Sequence, residues 1–353
     1  MRSPTLGKAF IHPALDYLFI GAAWSIVATA ILLARPQWAG AMSMDVLMVL
    51  ILVVNSAHFG ASTVRLYSDP QNFTKFPFVT MLLPLLTIAV LALCILAPVA
   101  LGRHLQALYL TWSPYHYAAQ TYGLAVMYCF RSGLQLTPIE KRLIWWVCML
   151  PFLRAFLGAP SSGLGWFVSR EALSAYPGLV LALRYVTDAL LVLTFAAPLA
   201  LVANVYRTKK QFIPLIGVTM MVANGLWWTA LDFLNAFVIA TIAHGLQYLA
   251  IVLVFHVQAR RRDPANVHSW VYHAAKFYGV SLLLGYALFY SWPYAFVWAG
   301  AGLAESMLLV TAMINVHHFI VDRYIWRAPP RAADVGAAHS QAKVATNVQP
   351  HAQ

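Results

Sequence analysis

The sequence predicts an all-α fold, a polytopic transmembrane bundle of about ten helices, and three observations carry that reading. Hydrophobic residues make up 61% of the 353 positions and charged residues only 10%, with a mean hydropathy of +0.70; so little polar surface cannot coat a water-soluble globule. Apolar windows long enough to cross a hydrocarbon core of about 30 Å recur along the chain. Lys and Arg concentrate in alternate connecting segments, the bias expected of loops that stay on the cytoplasmic side.

The windows lie at 14–34, 41–60, 77–98, 105–127, 142–158, 177–203, 212–230, 232–256, 274–292 and 295–321. The first is a full span with no clear small-residue cleavage site behind it, so it reads as a retained helix and not a signal peptide. The second carries Asn55 and His58 near its inner end. Pro114 interrupts the fourth just before Tyr115 and His116, where it should kink the helix and free a carbonyl inside the bundle. The fifth is short and contains Arg154. The sixth holds Arg184 and Asp188 four apart, a spacing that suits a structural ion pair or part of an ion path. The seventh and eighth meet almost without a loop around Leu231 and Asp232. The tenth ends on "INVHHFIVDRYIW", where two adjacent histidines and an aspartate close an apolar run.

With the N-terminus inside, the inner segments hold most of the basic residues, including Arg207, Lys209, Lys210 and the run Arg260, Arg261, Arg262, whereas the outer loops hold only Arg35, Arg103 and Arg170. A miscount by one helix would break that alternation. Both termini are therefore expected in the cytoplasm, with the chain in a bacterial-type inner membrane. The net charge of +12 is spread over these loops instead of being gathered among aromatics, which suits anionic lipid headgroups and argues against nucleic acid. Cys94, Cys129 and Cys148 are scattered without a C-x-x-C pair, which argues against thiolate metal sites and a disulfide framework. Residues 1–327 read as one transmembrane domain, and 328–353, rich in Ala, Pro and polar residues, as a disordered tail.

Imidazoles and carboxylates are costly in lipid, and those retained there mark functional sites or paired contacts. His12 and Asp16 share a face at the inner end of the first helix. His58 ends the second helix, and His317, His318 and Asp322 end the tenth on the same side; His116 and His244 lie deeper. Metal-bound imidazoles usually give their second nitrogen to a polar neighbour, and Asp16, Asn55, Gln247 and Asp322 stand close in sequence to His12, His58, His244 and the His317/His318 pair. His104, His256, His268 and His273 lack that support and read as interfacial or packing residues. At about 100° per residue, His318 and Asp322 share a face, whereas His317 points some 140° away. One imidazole of the pair can therefore bind metal while the other orients a neighbour or contacts substrate.

"HPALD" near the start, "AHFG" at the end of the second helix, a histidine in a late helix and "VHHFIVDRYIWR" near the end resemble, in order and placement, the motifs of the bacterial membrane β-carotene dioxygenases of the Brp/Blh type. The resemblance implies a non-haem iron held by histidines in a helical bundle and oxidative cleavage of a carotenoid by dioxygen to give retinal. It implies His12, His58, His244 and His317 as iron ligands, with Asp16 and Asp322 as motif companions. Tyr248 stands where the family commonly has a second histidine, and "ASTV" follows His58, Phe59 and Gly60 where the family continues to an acidic residue. Tyr248 and Asp322 are the candidate catalytic side chains, and Asp16, Asn55, His116, Gln247 and His318 the candidates for orienting ligands or facing substrate.

Histidines with an occasional carboxylate and no thiolate suit zinc, copper or Fe(II), and open positions on Fe(II) favour oxygen activation. Zinc hydrolysis would need a water-accessible base, and Glu305 lies about 18 Å from His317 by helical rise. A site reached through lipid favours an apolar substrate such as a carotenoid, another isoprenoid or an acyl chain, with dioxygen as co-substrate. Two alternatives have their own discriminators. A haem protein would use His116 and His244 as axial ligands and show a Soret band. A non-catalytic transporter or complex subunit with a structural histidine cluster would hold no metal.

Overall fold

The computed structural model describes residues 5–40, 43–158 and 163–326, so the proposed disordered tail at 328–353 lies outside the described residues. The principal helices are α1 (Pro13–Ile20), α2 (Ala23–Ala34), α3 (Asp45–Tyr67), α4 (Phe78–Leu96), α5 (Arg103–Arg131), α6 (Pro138–Gly158), α7 (Pro177–Lys209), α8 (Leu215–Ala230), α9 (Phe233–Arg261), α10 (Trp270–Trp298) and α11 (Leu303–Ile325). Short helical turns link several of them, and there is no strand among the described residues.

Every apolar window of the sequence overlaps a helix among the described residues, but not every helix has the length and composition of a membrane span. Six do: α3, α4, α7, α9, α10 and α11; α1 and α2 make a seventh if the bent pair is one span. That pair turns by 53° at a break where Ala22, fully buried, adopts a left-handed φ of 53°, a conformation that costs a non-glycine residue about 1 kcal/mol. At α8 the obstacle is length, 16 residues, while α5 and α6 are long but carry more polar and charged side chains. The last window shifts: α10 runs on to Trp298, and α11 starts at Leu303 after a turn at Gly300, whose φ of 98° suits glycine.

The near-absence of a loop between α8 and α9 has a local cause. Leu231 is extended, and the Asp232 carboxylate accepts the backbone N–H of Asn235 at 3.1 Å, an N-cap worth about 1 kcal/mol that starts α9 at once.

Two packing features position the interior. A hydrophobic cluster from α5, α6, α7 and α8, including Tyr128, Ile144, Leu201 and Ile216, fills one side of the bundle. On the other side α3 and α10 cross closely enough that a Cβ at Gly60 would overlap the Ser281 carbonyl, and one at Gly285 the Ser56 carbonyl. Small residues that let backbones meet are the usual adhesive of helices in lipid, where no hydrophobic force drives association. Within α3, a π-helical stretch at Ile51–Ser56 immediately precedes His58 and changes the register in which it faces the interior.

The N-terminal segment is tied by Asp16. Its carboxylate accepts the backbone N–H groups of Phe10 at 2.6 Å, Ile11 at 3.0 Å and His12 at 3.3 Å, and the Tyr128 hydroxyl at 2.6 Å. A fully buried carboxylate so satisfied is a folding anchor, and it locks residues 10–12 against α5.

Candidate metal centre

Four helices bring nitrogen and oxygen donors to one buried point. His58 comes from α3, His116 from α5 two residues past Pro114, His244 from α9, and His318 with Asp322 from consecutive turns of α11. His58, His244, His318 and Asp322 are all buried, and the His116 side chain is 12% exposed. His58 Nε2 is 3.0 Å from His318 Nε2; His318 Nε2 is 3.3 Å and His116 Nε2 3.7 Å from Asp322 Oδ2. The His244 ring is 4.8 Å, centroid to centroid, from both His58 and His116.

Two sets of three donors each lie within 4.8 Å of one another: His58, His244, His318, and His116, His318, Asp322. His318 belongs to both. Both nitrogens of His244, Nδ1 of His58 and His318, and Nε2 of His116 are buried without a hydrogen-bond partner. Each such group costs about 1–3 kcal/mol when left unsatisfied, so this concentration of bare imidazole nitrogen makes the point a candidate cation site. The spacing agrees: two imidazoles bound at right angles with metal–nitrogen bonds of about 2.1 Å have nitrogens about 3 Å apart. Asp322 offers carboxylate oxygens, and the imidazoles offer nitrogen lone pairs.

The carboxylate is itself held. Ser62 Oγ and Tyr248 O–H each donate to Asp322 Oδ1 at 3.1 Å, leaving Oδ2 turned toward His116 and His318. Aromatic rings exclude water around the imidazoles: Tyr248 lies 4.4 Å from His58, Tyr117 4.6 Å from His244 and Phe319 4.6 Å from His116, ring centre to ring centre.

The structure thus brings together His58, His116, His244, Tyr248, His318 and Asp322, and it places the other sequence candidates elsewhere. His12 is exposed and its Nδ1 accepts the Ala14 N–H at 3.3 Å, capping α1; Asp16 takes the His12 backbone N–H and not its ring. His317 lies outside both donor sets, because adjacent helical residues diverge by about 100° and it is His318 that stacks one turn before Asp322. Among the described residues no hydrogen bond joins Asn55 to His58. Gln247 serves the backbone: it donates to the Ile20 carbonyl at 2.9 Å and accepts from Gln120 at 3.1 Å, and Gln120 in turn donates to the His244 carbonyl at 3.1 Å. Sequence reasoning missed Ser62 and Gln120. Ser62 had a signal, since it follows His58 by four residues and shares its face; Gln120 had the same relation to His116.

Comparison with family models, with curated proteins and with solved structures returned no match.

Proposed function

We propose that this chain is a ten-span membrane oxygenase of the cytoplasmic membrane, using a non-haem Fe(II) centre to oxidise a lipid-soluble substrate. The observation that carries the proposal is the convergence of four imidazoles and one carboxylate, without a thiolate, on a buried point where five ring nitrogens have no partner. That donor set fits iron: His58, His244 and His318 would hold it, with His116 and Asp322 on the adjoining side. When bound, Fe(II) with positions left open supplies the activation of dioxygen. The chain's own part is to orient and to exclude. Ser62 and Tyr248 fix the Asp322 rotamer, and the Tyr248 O–H places an exchangeable proton 3.1 Å from Oδ1. Tyr117, Phe319 and Tyr248 keep bulk water away and favour an apolar substrate such as a carotenoid or other isoprenoid, in line with the resemblance to carotenoid-cleaving enzymes.

The haem alternative is disfavoured by the separation of the His116 and His244 rings, 4.8 Å between centroids, which leaves no room for a macrocycle between them. An ion path through Arg184 and Asp188 is disfavoured because both lie on the outward face of α7. The deciding measurement is metal content with an optical spectrum on detergent-purified protein. About one iron per chain without a Soret band supports the oxygenase and justifies an assay for carotenoid cleavage; protein that folds yet takes up no metal under anaerobic Fe(II) loading removes it.

A further inference from the structure

A groove of about 190 Å³ runs between α3, α4, α10 and α11 and reaches the metal centre, sharing His318 with it. Its wall is almost wholly apolar, from Phe59 and Leu66 on the inside to Ile88 and Trp292 at the rim, and Ile88 is 53% exposed on the outward face of α4. The opening is halfway along α4, so it faces lipid and not water. In this wall stands His317, next to His318 and half-buried, and among the described residues its ring makes no hydrogen bond. The groove's threonines have already committed their protons: Thr63 Oγ1 donates to the Phe59 carbonyl at 3.0 Å and Thr87 Oγ1 to the Leu83 carbonyl at 2.8 Å. They can still accept. A neutral imidazole can donate or accept.

We infer that this groove admits, sideways from the bilayer, the end of a long-chain lipid bearing a hydroxyl group, whose oxygen pairs with His317. A hydroxyl can pair with the His317 ring, which both donates and accepts, whereas a hydrocarbon would leave the imidazole bare. The volume is below the roughly 300–1,000 Å³ of pockets that enclose a whole ligand, so only one end of the chain enters and the remainder stays in lipid. The inserted end lies against His318. As a substrate route this rests on the oxygenase reading, since it is the metal that would act on the chain placed there; as a binding site it stands alone.

The test is photolabelling of the full-length protein in phosphatidylcholine vesicles, with a long-chain alcohol carrying a diazirine near its hydroxyl end and with the matched hydrocarbon lacking the hydroxyl. The expected result is alcohol labelling concentrated on α3, α10 and α11 at the groove, reduced roughly fivefold by His317→Leu, the worth of one net hydrogen bond, with hydrocarbon labelling unchanged. Ile88→Trp, at the rim and tolerant of bulk, should block labelling by both probes. Labelling that is equal for the two probes, or that spreads to the outward face of α7 and ignores both substitutions, overturns the inference. Iron content measured on the same samples separates the two ideas: wild type that binds no iron ends the oxygenase reading whatever the labels show, and wild type that binds iron without groove labelling ends this one alone.

Discussion

His58 and His318 are 260 residues apart in sequence, and their Nε2 atoms are 3.0 Å apart, with both side chains buried. The two rings share one hydrogen bond there, but the Nδ1 atoms of both remain bare, and His244 nearby has no partner at all. Such a cluster is expensive to bury empty and well suited to a cation. His58→Ala and His318→Ala should each reduce bound metal to background in elemental analysis of folded, monodisperse protein. His12→Ala and His317→Ala should leave it at the wild-type level; the reverse pattern would restore the ligand set implied by the resemblance.

Asp322 is held by two donors on one oxygen, so the orientation of the other depends on them. Partners of this kind typically contribute about 10–100-fold to metal affinity. Tyr248→Phe should therefore weaken metal binding by about tenfold in competition with a chromophoric chelator, and Ser62→Ala by less. Affinity unchanged in both variants would mean that the carboxylate needs no steering.

Asp16 anchors three backbone amides and the Tyr128 hydroxyl, and its worth lies in stability. Hydrogen bonds to a charged group contribute about 1.5–3 kcal/mol each, so Asp16→Ala should cost at least about 3 kcal/mol and lower the thermal midpoint in detergent markedly. His12→Ala removes only a weak cap and should cost about 0.5 kcal/mol. Similar midpoints for the two would show that the N-terminal segment is not held as described.

The α3–α10 crossing sets the position of His58. Gly60→Ala and Gly285→Ala place a methyl group into carbonyl oxygens of the facing helix, backbone atoms that cannot turn aside, so both should fail to give folded protein or lose metal binding with it. Gly123→Ala, with open space around its Cβ, is the control and should gain up to about 1 kcal/mol from helix propensity.

Glu140, at the start of α6, joins that helix to the end of α7 through Lys209, 2.6 Å away, with Thr137 N–H and O–H also donating. Burial opposes its ionisation, but the Lys209 ammonium and the Thr137 donors outweigh burial and hold its carboxyl below the usual carboxylate range. A depressed carboxylate pKa adds stability that is present above the unfolded value and lost as pH falls through the folded one. The thermal midpoint of wild type should thus fall more steeply than that of Glu140→Gln on acidification below about pH 4.5, and parallel curves would remove the pair from the stability account.

Composition and period were enough to read helices, because lipid accepts only segments that satisfy their own backbone, and that constraint writes long apolar runs into any chain obeying it. The same logic made His58, His244, His318 and Asp322 conspicuous, since polar groups inside such runs are rare. The face shared by His318 and Asp322 was legible from helical rotation alone, and so, in retrospect, was Ser62 behind His58. What the sequence by itself determined stops at single helices: their helical character, their polar residues and which of those share a turn. Tertiary structure decided the rest. It sent His12 outward to cap α1, made Asp16 a backbone anchor, turned His317 into the wall of a groove and brought His116 across from α5. The physical reason is that helix rotation and crossing are set by close packing between helices remote in sequence, such as Gly60 against Ser281 and Gly285 against Ser56, and no local pattern records which face a helix will turn to a partner it meets only in the fold.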